Sequence, residues 1–128
     1  MNKLLMVPTL LVGIVGCTMA DNERLVLMPV EDVVVTGTAR VGAPLEARFV
    51  GLLTSGCQRF DRVEVIETER SATILMWARE PRPSGTVCTA DIRQVQEART
   101  FRPVVPGKFV ISGKQPDGSV LTREVRVE

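Results

Sequence analysis

The residue types that carry covalent or acid–base chemistry are scarce in this chain: 128 residues hold three cysteines, no histidine and no tyrosine. Without histidine neither a Ser-His-Asp nor a Cys-His nucleophile can be assembled, and a serine–lysine pair would have to draw on Lys108 or Lys114. Ser112 and Lys114 read instead as the solvent-facing end of a strand. Glu64, Glu67 and Glu69 cluster at another strand end, with Glu67 and Glu69 on one face. A glycosidase pair needs carboxyls about 5 to 9.5 Å apart across a cleft, and a solvated edge accounts for these. Asp117-Gly118 reads as a turn rather than as part of a calcium loop. The expectation is a noncatalytic protein, with no catalytic residue, no metal, no cofactor and no evident small-molecule substrate; an enzyme ranks third among the functional readings.

The cysteines are more telling. Cys17 closes an apolar run, Leu4 to Gly16, that begins just after Lys3. As a helix that run would span about 20 Å, short of the roughly 30 Å hydrocarbon core of a bilayer, which suits the h-region of a cleavable signal. The order Ile14-Val15-Gly16-Cys17 resembles the lipobox of bacterial lipoproteins. The resemblance implies that Cys17 carries a diacylglycerol through a thioether and becomes the new amino terminus. It divides the chain into a signal at 1–16, a lipidated tether at 17–24 and a domain at 25–128, exported and held in the cell envelope. Thr18 after Cys17 favours the periplasmic face of the outer membrane where the host has one. Thr18-Met19-Ala20 before Asp21 offers a second cleavage site, which would discard Cys17 and release a soluble protein. Either processing exports the domain.

Cys57 and Cys88 then remain as an even pair in an exported chain and are expected to form a disulfide. Closing a loop of about 30 residues stabilises a fold by roughly 3 to 4 kcal/mol in the chain-entropy view. A zinc site would need further ligands, and there is neither a histidine nor a second cysteine pair to supply them. The 16 basic residues outnumber the 15 acidic ones only through Lys3 in the signal. A balanced, interleaved surface argues against nucleic acid as a partner, since that affinity rests on excess basic charge.

Positioning these groups falls to strands. β-branched residues recur with period two, and glycine, proline and polar turns break the pattern every ten residues or so. Leu25–Met28 and Val33–Thr36 make a first strand region interrupted by Pro29, which belongs at an edge or a sheet switch. Leu45–Leu53, Val63–Thr68, Ala72–Arg79, Ile92–Phe101, a strand around Phe109 and Ile111, and Val120–Val127 follow. Ala72–Arg79 is apolar on both faces, Ile74 and Met76 on one, Leu75 and Trp77 on the other, as a central strand would be. Val95-Gln96-Glu97-Ala98 would accept a helical turn, and strand is assigned from its neighbours. About seven strands without a helix predict an all-β, immunoglobulin-like antiparallel sandwich with one disulfide.

Ser55-Gly56-Cys57, Asp61-x-Val63-x-Val65, Thr86-Val87-Cys88-Thr89 and Pro106-Gly107-Lys108-Phe109-Val110-Ile111 together resemble a group of small bacterial envelope domains with two cysteines. That group has no established common activity, so the resemblance implies fold and location. For partner binding the candidate is Arg79-Glu80-Pro81-Arg82-Pro83-Ser84-Gly85, a proline-stiffened loop offering Arg79 and Arg82 to an extended or acidic partner, expected to be an envelope protein. Immunoglobulin-like cysteine-protease inhibitors also present Arg-Pro loops, which makes an inhibitor-like module the alternative function. Here Ser84 replaces the aromatic residue of that motif.

Overall fold

The computed structural model describes residues 22–82 and 87–128, so Cys17 and residues 83–85 of the candidate loop lie outside the described residues. In chain order the strands are β1 (Glu23–Leu27), β2 (Val30–Thr36), β3 (Leu45–Leu53), β4 (Arg59–Glu67), β5 (Ser71–Pro81), β6 (Arg93–Phe101), β7 (Gly107–Lys114) and β8 (Val120–Val127). The strict alternation in β3 buries Leu45, Ala47, Phe49, Gly51 and Leu53 and leaves Glu46 and Arg48 in solvent. β2 and β6 pair antiparallel with its two edges to make a three-stranded sheet.

The second sheet is built around β5, whose Ala72, Ile74, Met76 and Ala78 are fully buried. β4 covers one edge of β5; β1 takes the carboxy-terminal half of the other edge and β7, running parallel, takes the rest, with β8 outside β7. Phe49, Met28, Leu45, Ile74, Met76, Phe109 and Ile111 fill the space between the sheets, where each large side chain removed from water contributes about 1.5–3 kcal/mol. The two sheets approach closely where Gly113 faces Val30: a Cβ on Gly113 would stand 2.7 Å from Val30 Cγ1.

The expected all-β sandwich with one disulfide is what the chain forms. Its described residues form eight strands because the first region is two. Pro29 does mark a sheet switch: Met28 N donates to Met76 O of β5 at 2.8 Å, and Pro29 O accepts from Leu52 N of β3 at 2.9 Å. β1 starts at Glu23, inside the stretch assigned to the tether. β4 begins earlier than Val63, because a bulge between Phe60 and Arg62 breaks the alternation that would have revealed it. The stretch before Phe101 is a strand, and the carboxy-terminal hairpin pairs from Gly107↔Val127 to Lys114↔Val120.

Candidate functional site

Arg79 and Arg82 differ in what holds them. Arg79 lies within β5, not in a loop, because β5 continues to Pro81 against both β1 and β4. The bulge in β4 turns Asp61 toward it: Arg79 Nε donates to Asp61 Oδ1 at 2.6 Å, and Arg62 Nη1 donates to Asp61 Oδ2, also at 2.6 Å. These charge-assisted bonds, Arg79 first, hold the Asp61 carboxyl below its ordinary range, and Asp61 in turn raises the Arg79 guanidinium. Arg79 is thus committed to a partner within its own sheet. Arg82 follows the strand with its side chain exposed and its backbone N–H bound to Asn22 O at 2.8 Å. Among the described residues no ion pair includes it.

Around these arginines the end of the five-stranded sheet is laced with charge. Glu80 accepts from the Gln58 amide and from Arg24 Nε, each at 2.8 Å, which keeps its carboxyl below the ordinary value, and Arg59 pairs with Glu23 at 2.6 Å. The Cys57–Cys88 disulfide lies at the same end, with a Cα separation of 5.4 Å. Beside it Gly56 N donates to Thr89 O, and Arg93 donates to the carbonyls of Ser55 and Gln58.

The outer face of the five-stranded sheet carries a feature that sequence reasoning named only as part of a central strand. Leu75 and Trp77 point away from the interior, Trp77 opposite Leu27 of β1 and Leu75 opposite Glu64 of β4. No second layer covers them among the described residues. Leu75 is nonetheless 7% exposed and Trp77 half-buried, with an indole N–H that is enclosed and meets no acceptor among the described residues. Alternation in β5 identified the face; its cross-strand neighbours, Leu27 and Arg62 beside Trp77 and Glu64 beside Leu75, are set by tertiary pairing that no local pattern reveals.

The remaining sequence candidates do not converge. Glu64 and Glu67 lie on β4 with Glu69 in the turn after it, all exposed; Ser112 Oγ lies 3.4 Å from Thr122 Oγ1, and Lys108 pairs with Glu124. Asp117 makes a turn: its carboxylate accepts from Ser119 N at 2.9 Å and Ser119 Oγ at 2.6 Å, and Gly118 takes the left-handed conformation at φ +89°. Among the described residues no group of three or more histidine, cysteine or acidic side chains is placed to hold a metal. Comparison with known proteins finds no matching family model, no similar curated protein and no similar solved structure.

Proposed function

We propose that the protein is a noncatalytic module of the bacterial cell envelope, anchored through a lipid on Cys17 and binding or bracing an envelope partner. The disulfide carries this reading. With Cys57 and Cys88 joined to one another, Cys17 is the one cysteine left for other chemistry, and a structural cystine suits an oxidising compartment. A chain held by two or more acyl groups stays on its membrane, whereas one alone binds only marginally. The partner-binding surface is the exposed Arg82 end of β5, with Arg79 shaping it through Asp61 rather than reaching out itself. Metabolic labelling with radioactive palmitate in a host that processes lipoproteins should label the wild-type chain, and Cys17→Ser should remove the label. A mature chain that begins at Asp21 and carries no acyl group would replace the anchored protein by a secreted one.

A further inference from the structure

From the edge of the three-stranded sheet we infer a second interaction: the protein pairs with a copy of itself through β6, antiparallel about a twofold axis at Ala98, joining two three-stranded sheets into one of six. The inference stands apart from the lipid anchor and concerns a different surface.

Among the described residues β6 is paired on one side only, with β3, through nine consecutive residues and without a register shift. Three other edges are interrupted or capped among the described residues, and β1 offers a free edge of five residues only. β4 is broken by its bulge at Asp61 and β2 by one between Val30 and Asp32, where Gln115 also bonds both Val30 N and Val30 O. The end of β8 is occupied, since Glu128 exchanges backbone bonds with Ala39 and Val41. On β6 the Ala98 carbonyl accepts from its neighbour's guanidinium, Arg99 Nη1, at 2.8 Å, so a side chain stands where an adjoining strand would donate.

A twofold axis normal to the sheet keeps each face on its own side, so residues opposite one another must share parity and the register must centre on a residue. Odd-numbered residues of β6 share the inner face, because they pair with the buried positions of β3. A centre at Glu97 sets two carboxylates against each other; a centre at Gln96 opposes Arg93 and Arg99 twice over. A centre at Ala98 puts Glu97 opposite the second copy's Arg99 twice, with Val95 opposite Phe101 and Gln96 opposite Thr100. Glu97 and Arg99 now share only a long contact of 3.4 Å within one strand, their side chains 29% and 39% exposed, and both are free to exchange for the intermolecular pair. The charges thus disfavour the registers centred at Gln96, Glu97 and Arg99 and favour this one, by repulsion as well as attraction; a centre at Val95 would also oppose unlike charges, Arg93 and Glu97, and reversing both Glu97 and Arg99 separates the two.

Ala98 is exposed and would lie opposite its own copy at about 5.5 Å between Cα atoms, within disulfide reach. The purified full chain carrying Ala98→Cys, under a mild oxidant, should give a covalent dimer whose peptide map joins residue 98 to residue 98. Gln96→Cys, whose copies would lie on either side of the axis and out of disulfide reach, should cross-link at least tenfold less. In the Ala98→Cys background, Glu97→Arg or Arg99→Glu alone should abolish the dimer, and both together should restore it. Restoration separates this register from one centred at Val95, which the double reversal would leave repelled. Equal cross-linking at 96 and 98, no dimer at 98, or a double reversal that stays monomeric would overturn the proposal.

Discussion

The two long sides of the sandwich are closed by different physics. On one side β2 lies beside β8: Gln115 bonds both backbone groups of Val30, Arg123 reaches Asp32 at 3.2 Å, and Gly113 lets Val30 press against β7. On the other side β4 and β6 are mostly exposed along their length, and what spans their ends is a covalent bond, Cys57–Cys88, with Arg93 on two carbonyls beside it. Where interdigitated side chains hold the sheets together a crosslink adds little. Where charged edge residues flank a few half-buried side chains, Phe60, Val63, Val65 and Val95, the crosslink should carry more of the closure.

That contrast can be broken from the open side first. Replacing both cysteines by alanine should cost about 3 to 4 kcal/mol, lowering Tm by more than about 10 °C for a domain of this size, with hydrogen exchange rising earliest in β4 and β6. A uniform rise across both sides would mean that the cystine supports the whole sandwich equally. The closed side is sharpened by Gly113→Ala, which places a methyl 2.7 Å from Val30 Cγ1 and 2.9 Å from Val30 Cβ. Overpacking of this kind costs about 1 to 3 kcal/mol in chemical denaturation, and Val30→Ala in the same chain should recover part of it. If Gly113→Ala left the chain as stable as the wild type, the sheets would have slack at this crossing and the closed side would not be closed by packing.

The smallest effect is electrostatic. Glu80 is held below its ordinary value of 4.5 by the Gln58 amide and then by Arg24. A carboxyl with a lowered folded pKa contributes stability above that ordinary value and loses it as pH falls through the folded one. Glu80→Gln should therefore be less stable than wild type near pH 7, and the gap should close as the pH drops below about 4.5. A gap that persists to about pH 2 would assign the loss to geometry instead of charge.

Much of the sandwich was legible along the chain. β3 and β8 were readable to the residue, because regular alternation was bounded by Gly42-Ala43-Pro44 and Gln115-Pro116-Asp117-Gly118. Pro29 announced the sheet switch through its missing N–H. The start of β4 was hidden, since a bulge puts Asp61 out of phase with the residues that follow. The same bulge explains why Arg79 looked available: its partner lies eighteen residues upstream, brought into reach only by tertiary pairing. The stretch around Glu97, which would have accepted a helical turn, gave no sign that pairing with Phe49 and Ala47 puts Glu97 and Arg99 on the inner face.

The crossing at Met28–Pro29 has a mechanical meaning. Residue 28 is fastened to β5 in one sheet and residue 29 to β3 in the other, through Met76 O and Leu52 N. Tension entering at Asn22 would strip the five paired residues of β1 in sequence and then reach a point where the load divides between both layers at once. The crossing is thus a rivet. Beyond it, further extension requires shearing two ladders together, so a pull on the amino-terminal end would lengthen the leash by one short strand before it threatened the fold.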